Sequence, residues 1–230
     1  MTPTFSVILP IYNQSKQLPF LVAEYQRHMS GLDTSWELIF VVNGSRDDSH
    51  ERALALTADV PEMRVVHLAA GGWGGAVRNG LGEASGEWVC YTNSARTLPH
   101  QLILTLKYAA ASPGHVLKAT RVERESWQRK WGSILYNYMN RRLMGTPIWD
   151  VNGTPKVIPA ACLKGLNLTE TGDLIDAEIL AKLHRRNIPI VEILIVSPKR
   201  IEGKSTTNWR SAVHMISGLF RLRRNLKPGN

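Results

Sequence analysis

The sequence has few cysteines and no long apolar run. Its two cysteines, Cys90 and Cys162, are far apart, and each lies in an apolar stretch. This argues against a disulfide framework or a cysteine-based zinc site and favours buried thiols in a reducing compartment. No stretch reaches the roughly 18 uncharged apolar residues of a membrane-spanning helix, and the N-terminus lacks the features of a signal peptide. We therefore expect a protein of the cytoplasm.

Acidic residues are also scarce, with 19 Asp and Glu against 28 Lys and Arg, and the net charge is +9. The excess is concentrated after residue 198, where eight Lys and Arg accompany the single acidic residue Glu202. A basic tail predicts an anionic partner: nucleic acid, an anionic membrane surface or a phosphorylated substrate. No nucleic-acid-binding motif accompanies the charge, so nucleic acid is not an expected partner.

Short runs rich in Val and Ile alternate with longer helical patterns, which predicts βαβ units and a mainly parallel α/β sheet flanked by helices. The predicted strands are 6–9 (ended by Pro10), 38–42, 64–68, 87–92, 116–121 and 188–196, with 150–158 extended. The predicted helices are 17–29, 48–58, 76–84, 98–110, 127–144, 159–165, 176–186 and 208–224. In such sheets ligands bind beyond the carboxyl ends of the strands.

Polar residues follow several of these strands. The first strand runs into Pro10-Ile11-Tyr12-Asn13-Gln14, which brings an aromatic ring and an amide to the sheet edge, suited to gripping a base and a ribose. The second strand is followed by Asn43-Gly44-Ser45, and the fourth by Asn93-Ser94-Ala95-Arg96. Taken singly, each segment also fits an ordinary turn.

Taken together, these segments resemble the family 2 glycosyltransferases, whose first strand ends in a Pro-x-Tyr-Asn-Glu-like motif and whose second ends in Asp-Asp-Gly-Ser. The resemblance continues through residues 71–80, 84–89, Asp150 and Pro155-Lys156 to Arg200-x-x-Gly203-x-Ser205, and so covers almost the whole chain. It implies a Rossmann-like GT-A nucleotide-sugar transferase fold over residues 1–206, followed by a basic amphipathic helix and tail over 207–230.

A line of polar residues on the predicted helix 127–144 indicates which branch of this family the chain resembles. Arg129, Ser133 and Asn137 are spaced to share one helix face, and Arg121 ends the preceding strand. This spacing is similar to that of the polyprenyl-phosphate mannose and glucose synthases. The resemblance implies that Arg121, Arg129 and Ser133 hold the phosphate of a lipid acceptor, which suits a guanidinium fork. The alternative is a solvated basic helix face.

Further roles follow from the same resemblance. It implies that Arg200, Lys204 and Ser205 close over the nucleotide diphosphate, with Arg200 as a catalytic residue. Asp176 and Glu178 resemble the family's acidic pair, and we expect them to be catalytic or to position the sugar, with a structural role open for Glu178. The nucleotide sugar is expected to contact residues at the strand ends: Pro10, Tyr12, Gln14, Asn43, Ser45, Asn93 and Arg96.

The sequence departs from the family at its acidic positions. The family binds Mg²⁺ or Mn²⁺ through Asp-x-Asp after the fourth strand, where this chain has Asn93-Ser94-Ala95. Asn43 and Gln14 likewise stand where the family has acidic residues. Hard cations need carboxylate oxygens, so we expect no metal site here. Either Arg96, Arg200 and Lys204 stabilise the leaving diphosphate instead, or catalysis is lost and binding is kept.

These observations predict a transferase that moves a sugar from a nucleotide sugar to a polyprenyl (dolichyl-type) phosphate at the cytoplasmic face of a membrane, and the resemblance implies an inverting mechanism. The alternatives are a transferase with a saccharide or protein acceptor, and a catalytically impaired nucleotide-sugar-binding or scaffold protein. In the predicted helix 208–224, Val213, Ile216, Leu219 and Phe220 share a stripe. That stripe fits an anionic membrane surface, a membrane-embedded partner, or packing against the domain.

Overall fold

The computed structural model describes residues 2–122, 127–196 and 209–226. Its sheet has seven strands in the order β3-β2-β1-β4-β6-β5-β7. All neighbouring strands are parallel except β6, which is antiparallel to both β4 and β5. The strands are β1 Phe5–Ile11, β2 Trp36–Asn43, β3 Met63–Leu68, β4 Trp88–Tyr91, β5 Val116–Arg121, β6 Lys156–Pro159 and β7 Ile190–Ile195.

Helices cover both faces of the sheet. They are α1 Leu18–Met29, α2 Ser49–Thr57, α3 Trp73–Glu83, α4 Pro99–Ala110, α5 Trp127–Met144, α6 Ala160–Leu163, α7 Ile175–Arg185 and α8 Trp209–Asn225. Alternate residues of β1 point to opposite faces, so Val7 packs with α1 and α4 while Ile8 packs with α3 and α7. The fully buried β1 therefore forms the centre of a three-layer α/β domain.

A third apolar cluster lies outside the sheet, between α5, α7 and α8. Leu219 and Leu222 of α8 are buried there against Leu174 and Ala177, beside Tyr136 of α5. The apolar side of α8 that includes Leu219 is thus covered by the domain, whereas Phe220 remains exposed. No helix within the described ranges is long and apolar enough to cross a bilayer.

The predicted elements are confirmed; most of their bounds shift by one or two residues, and three departures concern the site. The prediction that Pro10 ends the first strand is wrong, because β1 continues to Ile11. The Ile8 carbonyl accepts from Thr92 on the β4 side, so Pro10, two residues on, turns its missing N–H to that side, where β4 has ended. Helix α3 begins at Trp73, within the predicted glycine turn, and of 150–158 only 156–158 belongs to a strand.

Candidate active site at the carboxyl ends of the strands

The ends of β1 and β2 are joined by hydrogen bonds between backbone and side chain. The Asn13 N–H donates to Ser45 Oγ at 3.0 Å, and the Arg46 N–H donates to Asn13 Oδ1 at 2.8 Å. Asn13 has a positive φ of 50°, which asparagine tolerates better than most residues. The turn after β1 is thus bonded to the turn after β2, and Tyr12 and Ser45 lie at one sheet edge, where the sequence predicts contacts with the nucleotide sugar.

Asn43 connects three segments beneath this edge. Its side-chain Nδ2 donates to the Ile11 carbonyl at 2.9 Å, and its Oδ1 accepts from the Gly72 N–H at 3.0 Å. An aspartate could accept from Gly72 but could not donate to Ile11. Asn43 is buried, so its contacts are those of a positioning residue, and they give a physical reason for the amide at a position where the family has a carboxylate.

The glycine-rich turn packs tightly against the neighbouring loops. Gly44 has a φ of 58°, and a Cβ on it would collide with the backbone of Gly71. A Cβ on Gly71 would lie 3.7 Å from Cε2 of Tyr12, so this aromatic ring borders the turn. Tyr12 is 47% exposed, and its open ring at the sheet edge can stack on a planar ligand.

The end of β4 carries no carboxylate and is bonded to the end of β1. Ser94 Oγ donates to Gln14 Oε1 at 2.9 Å, and the Ala95 N–H donates to Asn93 Oδ1 at 3.1 Å. Arg96 is half-buried in the same turn, and its N–H donates to the Asn93 carbonyl. The amide oxygen of Asn93 already has a donor, and Ala95 offers no ligand. These residues do not fit Mg²⁺ or Mn²⁺, and within 2–122, 127–196 and 209–226 no group of three His, Cys, Asp or Glu could hold a metal.

Asp176 is buried and fully surrounded by donors. Its Oδ1 accepts from Lys156 Nζ at 2.5 Å and from the Tyr91 hydroxyl at 2.9 Å, while Oδ2 accepts from Trp73 Nε1 at 3.0 Å. Burial lowers the pKa of Lys156, and Asp176 opposes that shift. These contacts tie β4, β6, α3 and α7 together beside the glycine-rich turn. They occupy three acceptor positions of the carboxylate, which is consistent with a positioning role for Asp176.

Glu178 has the contacts of a structural residue. Its carboxylate accepts from the N–H groups of Thr169 and Glu170, from the Thr169 hydroxyl and from Lys182 Nζ at 2.7 Å. Burial raises its pKa, but these hydrogen bonds outweigh the burial and hold the pKa below its ordinary value. Glu178 therefore fixes the loop that precedes α7.

Arg121 is paired within the protein. Its Nε and Nη2 donate to the two carboxylate oxygens of Asp150, at 2.7 and 2.9 Å. Burial lowers the pKa of Arg121, but Asp150 raises it overall. Next to this pair on β5, the fully buried Lys118 donates to Glu192 at 2.7 Å. The Arg121 guanidinium, which we expected to hold an acceptor phosphate, is therefore already paired with the carboxylate of Asp150.

Of the remaining predicted residues, two fall on α5 and three lie after β7 in the sequence. Ser133 is half-buried and its Oγ accepts from Asn137 Nδ2 at 3.2 Å, while Asn137 Oδ1 accepts from the Val151 N–H. Ser133 lies one turn after Arg129, whose backbone belongs to α5. Arg200, Lys204 and Ser205 lie outside the described residues.

Sequence reasoning missed three residues at this site: Trp73, Tyr91 and the anchoring role of Lys156. Two of them carried a signal, because Trp73 interrupts a glycine run and Lys156 stands at the head of the apolar strand β6. Tyr91 and Lys156 are paired across β4 and β6, so sheet register brings them together at Asp176.

The strand order, the central β1 and the polar strand ends together define a GT-A-type α/β domain. The chain belongs to glycosyl transferase family 2, whose family model matches residues 6–164.

Curated relatives with known names align with part of the chain. An undecaprenyl-phosphate 4-deoxy-4-formamido-L-arabinose transferase of Sodalis glossinidius (strain morsitans) is 28% identical over 149 residues, which are 63% of this chain and 45% of that protein. The transferase of the same name from Serratia proteamaculans (strain 568) is 27% identical over 194 residues, 82% of this chain and 59% of that protein. The chain thus spans about half the length of the curated relatives it matches.

Solved structures share the fold at low sequence identity. Glucosyl-3-phosphoglycerate synthase from Mycobacterium tuberculosis, in complex with Mn²⁺, UDP and glucosyl-3-phosphoglycerate, superposes with a TM-score of 0.72 at 18% identity. That alignment covers 99% of this chain and 82% of the other. The same enzyme with Mn²⁺ and UDP-glucose gives a TM-score of 0.73 at 18% identity, covering 99% and 81%.

Proposed function

We propose that this chain transfers a sugar from a nucleotide sugar to a polyprenyl phosphate, and that cationic side chains replace the usual metal ion. The observation on which the proposal mainly rests is that the polar segments after β1, β2 and β4 lie together. Tyr12, Ser45 and Ser94 lie at one edge of the sheet and are joined through the hydrogen bonds of Asn13 and Gln14. The family, the polyprenyl-phosphate relatives and the UDP-bound structures of the same fold support a nucleotide sugar as the donor.

A phosphate acceptor is consistent with the hydrogen bonds that Asp176 and Glu178 already make within the protein. A sugar hydroxyl acceptor requires a base to remove its proton, whereas a phosphate is already an anion. Asp176 accepts from three donors and Glu178 caps a loop, so neither carboxylate is placed to act as a base. In this proposal both residues are positioning residues, and Arg129 and Ser133 on α5 contact the acceptor phosphate.

The leaving diphosphate would be stabilised by fixed positive charge. Fixed donors and cations that face a developing charge lower the barrier without a metal ion. We assign this role to Arg96, after the end of β4, together with Arg200 and Lys204 of the basic segment that follows β7 in the sequence. The neutral residues Asn93 and Ala95 support the assignment, because two carboxylates without a metal would repel a diphosphate.

A transfer assay tests this function. The purified chain is incubated with membrane lipids and a panel of radiolabelled nucleotide sugars, and the organic phase is counted. The proposal predicts label in a lipid-linked product that depends on a polyprenyl phosphate. Transfer to soluble saccharides without any need for a lipid phosphate would select a saccharide acceptor instead.

The missing carboxylates also favour a second candidate, a nucleotide-sugar-binding protein that has lost catalysis. That candidate predicts binding of a nucleotide sugar without turnover, whether or not Mn²⁺ is added. Under the first proposal the chain acts at the cytoplasmic face of a membrane, because a polyprenyl phosphate presents its phosphate at a bilayer surface.

A further inference from the structure

The exposed face of α5 carries a row of large apolar side chains. Trp131, Ile134, Leu135 and Tyr138 are spaced three and four residues apart, so they form one stripe along the helix. They are 54%, 45%, 51% and 56% exposed. Single exposed apolar residues are common, but four in helical register are a contiguous patch of the kind that marks an interaction surface.

The opposite side of the same helix faces the domain. Tyr136, Asn137 and Asn140 are buried there, and Ser133 is half-buried on the same side. Ser133 and Asn137, two members of the line proposed for the acceptor phosphate, are therefore turned inward, while the apolar stripe is turned outward. The proposed phosphate site and the apolar stripe thus lie on opposite sides of α5, separated by the width of the helix, about 10 Å.

A further exposed aromatic residue lies against Arg141, near the C-terminal end of α5. Trp149 is 70% exposed, and the guanidinium of Arg141 lies 4.8 Å from the centre of its ring. Arg141 also donates to the Ile148 carbonyl at 3.1 Å, which fixes this segment beside the helix. Tryptophan and tyrosine next to arginine are the residues enriched where protein meets lipid headgroups.

Basic residues predominate on helices α5 and α8, while Arg221 pairs with Glu170 at 3.5 Å and the Trp149 N–H donates to Glu192. Helix α5 contains Arg129, Lys130, Arg141 and Arg142 and no acidic residue, and α8 contains Arg210, Arg221, Arg223 and Arg224 and no acidic residue. The two helices pack against each other through the third apolar cluster. An apolar stripe next to this much positive charge is complementary to a bilayer surface that bears anionic headgroups.

We propose that the α5 stripe, defined as Trp131, Ile134, Leu135 and Tyr138 together with Trp149, is the surface by which this chain docks on an anionic lipid bilayer. The sequence left the apolar stripe of α8 open between a membrane surface and packing on the domain; Leu219 of that stripe is covered by the domain, and Phe220 is exposed. The inference rests on the proposed function in one respect. Docking through the α5 stripe would place Ser133, on the opposite side of the same helix, close to the phosphate of a lipid acceptor.

Flotation with lipid vesicles tests the docking surface on the whole chain. Two vesicle types are used, phosphatidylcholine alone and equal parts phosphatidylcholine and phosphatidylglycerol. We expect the chain to float with the anionic vesicles, to bind the neutral ones more weakly, and to lose binding as salt is raised. No binding to anionic vesicles, or equal binding to both types, overturns the proposal.

A matched pair of double variants locates the surface. Leu135→Gln/Tyr138→Gln should weaken binding to anionic vesicles about tenfold or more, because two apolar side chains at the bilayer contact become amides. Phe20→Gln/Leu54→Gln changes two equally exposed apolar residues on α1 and α2 and should bind as the unaltered chain does. Circular dichroism checks that all variants are folded.

Three outcomes would overturn the proposal. They are equal loss of binding in both pairs, no loss in the α5 pair, and a dimer of the unaltered chain in solution that the α5 pair abolishes while vesicle binding persists. Transfer by the unaltered chain to a short-chain, water-soluble prenyl phosphate is measured separately without vesicles. Its absence would contradict the proposed function but not the docking, and its presence without vesicle binding would contradict the docking alone.

Discussion

The Ser94 hydroxyl donates to the side-chain oxygen of Gln14 across 2.9 Å, joining the end of β4 to the end of β1. Both residues stand within motifs that are acidic in the family the sequence resembles. Neutral side chains let these two strand ends approach each other without repulsion and without a bridging cation. This contact between neutral side chains, at positions without metal ligands, is consistent with the proposal that Arg96, Arg200 and Lys204 stabilise the diphosphate.

The acceptor site predicts a selective defect in Arg129→Ala. Transfer to a water-soluble prenyl phosphate should fall by about ten- to a hundredfold, since a charge-assisted hydrogen bond to phosphate is lost. Affinity for the nucleotide sugar, measured by calorimetry, should not change. Lys107→Ala removes an exposed positive charge from α4 and should leave both quantities unaltered. Unchanged transfer by Arg129→Ala would contradict the acceptor assignment.

Asp176→Asn should destabilise the protein by about 3 to 5 kcal/mol, because it leaves the ammonium of Lys156 buried without a full counter-charge. The carboxylate also accepts from Tyr91 and Trp73, so an amide would misplace at least one donor. Urea unfolding followed by tryptophan fluorescence measures the change. Asp59→Asn, on an exposed residue, is the control and should shift the free energy of unfolding by less than about 0.5 kcal/mol. A stable Asp176→Asn variant would show that the buried pair is not structural.

The lowered pKa of Glu178 predicts a pH-dependent contribution to stability. A carboxylate whose folded pKa lies below its ordinary value of 4.5 stabilises the fold above that pH. At pH 7, Glu178→Gln should therefore cost about 1 to 3 kcal/mol in the free energy of unfolding. The difference from the unaltered chain should shrink as the pH falls below about 4.5 and through the lowered pKa.

The control for that titration is Glu51→Gln, which alters an acidic residue in the first turn of α2. It should change stability little at any pH. A cost for Glu178→Gln that stays constant from neutral to acidic pH would mean that the charge of Glu178 is not what stabilises the loop.

The packing of α8 predicts opposite results for two neighbouring residues. Leu219→Ala should destabilise the protein by about 2 to 5 kcal/mol, because Leu219 is fully buried among α7 and α8 side chains. Phe220→Ala should cost less than about 0.5 kcal/mol, since its ring is exposed. Thermal unfolding of the two variants measures the contrast. Equal, small effects would indicate that α8 does not stabilise the domain.

Much of the fold was predictable because local patterns agree with it. Runs such as Val7-Ile8-Leu9 can only be central strands when helices alternate with them, and β5 and α5 have the predicted bounds. The end of β1 was not predictable from Pro10 alone. Proline is tolerated there because β4, on the side of the missing N–H, has already ended, a fact of sheet register rather than of sequence.

The site was predictable in its location but not in its contacts. Polar residues after strands indicate an edge, and Tyr12, Asn43 and Asn93 lie there as expected. That Asn43 faces Ile11 and Gly72, or that Asp176 meets Trp73, depends on loops far apart in the chain. The sequence likewise predicts an apolar stripe on α8, but only tertiary packing shows that Leu219 is covered there while the apolar stripe of α5 is exposed.

The central claim is that fixed positive charge, not a chelated cation, holds the nucleotide diphosphate. The most direct test is the affinity of the purified chain for its nucleotide sugar in EDTA and again in excess Mn²⁺. The account predicts the same affinity in both, and predicts that Asn93→Asp/Ala95→Asp weakens binding in EDTA through repulsion of the diphosphate. Binding by the unaltered chain that disappears in EDTA and returns with Mn²⁺ would contradict it.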